Sequence, residues 1–112
     1  MNLPLTLWVG ARLYQTRVVA NKAFHDGEEG SHHANTRVLE FDAATIEQPG
    51  ADLDAFLHEV AEAIKVDRGI KVSHTALAQL ISGLAASIIQ NGWVFDPAPQ
   101  APTEHPLPHL AP

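Results

Sequence analysis

The 112-residue chain contains no cysteine. Disulfides, thiolate catalysis and cysteine-ligated zinc are thereby excluded. No apolar run approaches the roughly 20 residues that a membrane-spanning helix needs, and residues 1–10 lack the basic start of a secretory leader. These absences lead us to expect a soluble protein of a reducing compartment, the cytoplasm, with no membrane partner. Basic residues are also scarce: seven Lys and Arg stand against thirteen Asp and Glu, for a formal net charge of −6. Residues 1–25 hold Arg12, Arg17 and Lys22 and no acid, residues 26–64 hold ten acids and only Arg37, and residues 65–112 hold three of each sign. Nucleic-acid binding needs clustered Lys and Arg, so direct contact with nucleic acid is not expected. The acidic middle suits a protein partner with a basic surface, with Asp26, Glu28, Glu29, Glu59 and Glu62 as the contact residues.

Catalytic signatures are missing as well. Ser31, Ser73, Ser82 and Ser87 lie in no Gly-x-Ser-x-Gly elbow. Neither a phosphate-binding Gly-x-x-x-x-Gly-Lys loop nor a dinucleotide fingerprint is present. Trp8, Tyr14 and Trp93 are too scattered to stack bases. A non-catalytic role without a cofactor is therefore the first expectation.

Alternation dominates the N-terminal part. Leu3, Leu5, Leu7 and Val9 share one parity and predict a strand, with Pro4 near its start. Gly10-Ala11 follows, and both a hairpin turn and a bulge fit there. Arg12–Ala20 has weaker alternation, but its β-branched Thr16, Val18 and Val19 favour a strand over a helix. Thr36–Phe41 predicts another strand, with Val38 or Leu39 and Phe41 facing inward. Asp42–Ala51 is a connector carrying the turn signal Pro49-Gly50.

Two helices follow. Asp52 is a candidate N-cap, Asp54 stands in the favourable first turn, and Leu53, Phe56, Leu57, Val60 and Ile64 make one apolar stripe. Arg68-Gly69 marks the stop, and Ile70-Lys71-Val72 is short enough to be a brief strand or nothing regular. Ser73 caps a second helix that runs to about Gln90 and ends at Asn91-Gly92. No acidic or basic residue occurs from Thr75 to Gln90, so this helix is expected to be buried on more than one side. Gly83 in its middle costs roughly 1 kcal/mol against alanine and invites either a close backbone neighbour or a tolerated defect. Trp93-Val94-Phe95 offers a terminal strand or an apolar latch. After Asp96 come six of the chain's eight prolines, which predicts an extended, disordered tail. Its Pro99-Gln-Ala-Pro102 has the PxxP form but lacks the adjacent base of an SH3 ligand.

Three candidate sites emerge. The loop His25-Asp26-Gly27-Glu28-Glu29-Gly30-Ser31-His32-His33 concentrates imidazoles and carboxylates, and His25, His32, His33 and Asp26 could converge on a divalent transition metal. Its glycines and irregular spacing make it first a mobile acidic connector, with a proton-sensitive contact as a further alternative. His58-Glu59-Val60-Ala61-Glu62 resembles the first half of the HExxH zinc motif, with Glu62 where the second histidine belongs. His58 and Glu62 lie roughly 140–180° from the apolar stripe at 100° per residue, which predicts a solvated face. Ser73-His74 is explained by capping. The uncharged helix and the latch supply the third site, an interface through Leu77, Leu80, Ile81, Leu84, Ile88, Trp93 and Phe95.

The expectation is thus an α+β fold over residues 1–96, an antiparallel sheet of three or four strands with two helices on one face, and a disordered tail over 97–112. The expected function is that of a small acidic accessory protein, of adaptor or inhibitor type, that binds other proteins as a homodimer. The alternative is a metal-binding protein or metal-dependent enzyme using the loop of residues 25–33.

Overall fold

The computed structural model describes residues 1–22 and 30–97. His25, Asp26, Glu28, Glu29 and the tail beyond Pro97 lie outside the described residues. In chain order the elements are β1 (Thr6–Val9), β2 (Arg12–Val19), β3 (Gly30–His33), β4 (Val38–Asp42), α1 (Ala43–Ile46), α2 (Ala51–Arg68) and α3 (His74–Gln90). The strands form one sheet in the order β1-β2-β4-β3. Its outer pairs, β1 with β2 and β3 with β4, are antiparallel, while the central pair β2 and β4 runs parallel. The fold is α+β with a mostly antiparallel sheet and helices packed against it. Among the described residues no helix is long and apolar enough to cross a membrane.

β1 and β2 form a hairpin rather than a bulged strand. Val9 pairs with Arg12, which leaves Gly10-Ala11 as a two-residue turn. Gly10 has φ +59°, the left-handed region that such turns need and that glycine reaches without steric cost. The inward parity of Leu7 and Val9 holds, but Leu5 precedes the strand and is exposed. On β4 the inward pair is Leu39 and Phe41, and Val38 is buried on the opposite face.

β3 departs from the expected connector. Gly-Ser-His-His has no apolar alternation to announce a strand, but β4 offers its free edge, and the backbone pairs Gly30 with Phe41 and His32 with Leu39. α1 is also a departure within the Asp42–Ala51 connector. The Asp42 carboxylate accepts from the Thr45 backbone N–H and from Thr45 Oγ1, both at 3.0 Å, and so caps a single helical turn.

α2 starts at Gly50, φ +90°, and not at Asp52, which falls in the first turn beside Asp54. Gly69 closes the helix in the left-handed conformation at φ +63°, as expected. The buried face comprises Leu53, Ala55, Phe56, Glu59 and Ala63, while Ile64 is exposed. That face is turned by roughly 80° from the predicted stripe, at 100° per residue. The rotation brings Glu59, 6% exposed, into the interior and removes it from the acidic surface.

Ser73 Oγ accepts from the Ala76 N–H at 3.0 Å and starts α3 as predicted. α3 packs chiefly on α2 and buries only Leu77, Ile81 and Ala85. Two-sided burial within the chain is therefore corrected to a single stripe. Leu77 and Ile81 belong to the α2–α3 contact and are not free for an interface. Ile70-Lys71-Val72 and Trp93-Val94-Phe95 form no strand, though Phe95 does latch edge-on against Phe56 with ring centroids 5.8 Å apart.

The core joins Val9, Tyr14, Leu39 and Phe41 of the sheet to Ile46, Ala55, Phe56 and Ala63. Phe41→Ala should lower unfolding free energy by about 3–5 kcal/mol in urea denaturation, whereas Leu5→Ala should stay within about 0.5 kcal/mol. Equal losses at the two positions would contradict this core.

Candidate functional site

The sheet's inner face and the two long helices enclose a polar cleft of about 550 Å³. β3 contributes Gly30, Ser31 and His32, α2 contributes His58, Glu59 and Glu62, and α3 contributes His74 and Ser82. The local rules that place them are simple. His58 and Glu62 are i, i+4 neighbours on one helical face. Ser73 caps α3, so His74 is fixed as its first residue. α2 and α3 run antiparallel: Ser82 Oγ donates to Asp54 Oδ2 at 2.9 Å, and eight residues back His74 stands opposite Glu62.

The expected solvated face of His58 and Glu62 is thus corrected. Their side chains retain only 16% and 20% of their exposure, because the N-terminus of α3 covers them. His74 Nδ1 lies 3.4 Å and His58 Nε2 3.9 Å from the same oxygen, Glu62 Oε1. The two imidazole rings meet nearly edge to face, with centroids 4.9 Å apart. Glu62 Oε1 is closed off from solvent and accepts no hydrogen bond from the described residues. Of the donors in this cleft, His74 carried no site assignment in the sequence. The available signal was the short link from Gly69 to Ser73, which folds the start of α3 back along the end of α2.

His32 and His33 do not converge. As consecutive strand residues they point to opposite faces. His32 Nε2 lies 3.1 Å from Tyr14 Oη on the inner side, and His33 Nε2 lies 3.0 Å from Glu40 Oε1 on the outer side. Burial pushes the His32 imidazole below the ordinary histidine range, against the attraction of Glu62 and helped by the neighbouring His33.

The outer side carries a second polar cluster. Glu40 is met by Arg17 Nη1 at 3.1 Å, His33 Nε2 at 3.0 Å and Lys22 Nζ at 3.6 Å. Burial raises the Glu40 pKa, but the His33 hydrogen bond and the charges of His33, Lys22 and Arg17 outweigh it and hold the carboxyl below its ordinary range. This geometry ties the outer face of β4 to β2 and β3.

The third region is apolar. Leu80, at 68% exposure, Leu84, Ile89, Trp93 and Val94 are exposed, and Ile88 is half-buried. Gly83 lies on the same helix with nothing within 4 Å of where a Cβ would be, so the described residues supply it no close neighbour. The acidic surface is smaller than the residue count suggested. Asp42 and Glu59 are buried, Glu40 is enclosed by cations, and Asp54 accepts from Ser82.

Comparison with protein-family models, with curated proteins and with solved structures finds no match to this chain.

The depressed Glu40 pKa has a definite sign. Its ion pairs stabilise the fold above the unfolded-state glutamate pKa, and that stability is lost as pH falls through the lower folded value. Glu40→Gln should therefore reduce the melting temperature at pH 7, with the gap to the parent protein closing under acid. A gap that stays constant down to pH 3 would refute the assignment.

Proposed function

We propose that this is a small acidic, non-catalytic accessory protein of the cytoplasm that works by contact with other proteins, and that its unit is a homodimer joined through the outer face of α3. The observation that carries this is that exposed Leu80 and Leu84 lie with half-buried Ile88 along one side of α3, with exposed Trp93 just beyond the helix, on a segment without an ionisable side chain from Thr75 to Phe95. Apolar side chains grouped in this way lose solvent contact on association at about 25 cal/mol per Å².

A second copy suits this face better than a basic partner does. Two chains each carrying a net charge of −6 repel, and the uncharged outer face of α3 brings them together at least cost. A two-fold interface needs a self-complementary patch, and a helix of leucine and small uncharged residues provides one. Exposed Gly83, between Leu80 and Leu84, allows the two helices to approach closely. Leu80, Leu84, Trp93 and the half-buried Ile88 are the contact residues, with Phe95 at the rim where it leaves Phe56. A partner with a basic surface would instead use the acidic groups, of which the described residues leave few unengaged.

Light scattering on the tag-free protein at high micromolar concentration should give twice the 12.1 kDa chain mass. Leu80→Glu with Leu84→Glu should return it to the monomer mass with unchanged far-ultraviolet circular dichroism, because both side chains are exposed. A parent protein that is monomeric under these conditions overturns the dimer.

A further inference from the structure

We infer that His58, Glu62 and His74 form a binding site for a divalent transition-metal ion at the mouth of the cleft between β3, α2 and α3. One ligand atom from each of the three side chains can be chosen so that all lie within 4.8 Å of one another. Two ligand atoms held at the usual 2.0–2.1 Å from a tetrahedral ion are about 3.3 Å apart. The pair His74 Nδ1 and Glu62 Oε1 already stands at 3.4 Å, and His58 Nε2 at 3.9 Å from that oxygen needs only a small side-chain rotation.

The same distances argue against a simple hydrogen-bonded cluster. Nitrogen–oxygen hydrogen bonds have a mode near 2.9–3.0 Å, and neither imidazole closes to that distance on Glu62. Glu62 Oε1 is instead shielded from solvent without a hydrogen bond among the described residues. A carboxylate oxygen in that position is costly unless a positive group satisfies it. An ion between the three side chains does so, and it also takes up the nitrogen lone pairs.

The donor set defines the ion. Two imidazole nitrogens and one carboxylate oxygen favour borderline cations such as Zn²⁺, Co²⁺ or Ni²⁺ and disfavour Mg²⁺ and Ca²⁺, which prefer oxygen. Three protein ligands leave at least one coordination position open. His74 is 72% exposed and faces solvent, so water or an oxygen ligand can reach that position. The ion would also pin the start of α3 to the last turns of α2. The site is independent of the dimer, because its residues lie on the cleft side of the helices and not among Leu80, Leu84 and Trp93.

Calorimetric titration of Zn²⁺ into the tag-free, full-length protein should show one strong site per chain and a raised melting temperature. Co²⁺ in its place should give the visible absorption of a low-coordinate nitrogen–oxygen site. His58→Gln and His74→Gln should each weaken Zn²⁺ binding by about tenfold or more and abolish the Co²⁺ spectrum. His74 is exposed, so His74→Gln tests binding without endangering the fold. The double variant His25→Gln with His33→Gln should bind as the parent does. Absence of stoichiometric binding, binding unaffected by His74→Gln, or loss of binding in the His25/His33 variant instead would each overturn the site.

Discussion

Phe56 of α2 stacks on Phe41 of β4 with ring centroids 5.9 Å apart and planes 22° from parallel. This contact fixes where the long helix lies on the sheet and how far it is rotated about its axis. Phe41 has no solvent exposure and lies on a central strand, so it cannot yield. Once Phe56 is seated there, Ala55, Glu59 and Ala63 are turned inward and Ile64 is turned out. Phe95 then closes over the far side of Phe56 and ties the end of α3 to the same point.

The rest of the molecule follows from α2 being the long helix that carries most of the contact with the sheet. α2 must present one side to the strands, one to α3 and one to the cleft. α3 leans chiefly on α2, and its stripe of Leu77, Ile81 and Ala85 is matched while Leu80 and Leu84 are not. The cleft arises where β3, the short polar edge strand, meets the antiparallel helix pair. The polar groups on the two faces of the sheet thus have separate tasks. Glu40, Arg17, Lys22 and His33 hold the outer face together, while His32 faces the cleft that contains His58, Glu62 and His74.

The break at Gly10, the stop at Gly69 and the Ser73 cap were legible in the sequence because each depends on a few neighbouring residues, whereas the choice of hairpin over bulge at Gly10 came from the pairing of β1 with β2. A positive φ or a capping hydroxyl carries its own signature. β3 was not legible, since its four polar residues gain their structure from the edge of β4 and not from their own pattern. The α2 face was legible in type but not in angle. Leu57 and Ile64 are as apolar as Phe56 and fit the same helical period, and only the position of Phe41 decides among them. The same rotation explains Glu59, an acid that composition assigns to the surface. The His58–Glu62 pair was visible as a spacing. Its third member was not, because His74 joins it through the fold of a helical hairpin.

The α+β class, the order of the main strands and helices, the lack of charge along α3 and the chemical inventory, with histidine and carboxylate present and thiol absent, can be read from the chain alone. These are properties of composition and of short-range periodicity, which need no knowledge of neighbours. The tertiary structure decided the strand order with its parallel centre, the interior place of Glu59, the separation of His32 from His33 and the meeting of His58, Glu62 and His74. Each of those depends on contacts between residues distant in the chain, where packing volume and not local preference selects the arrangement.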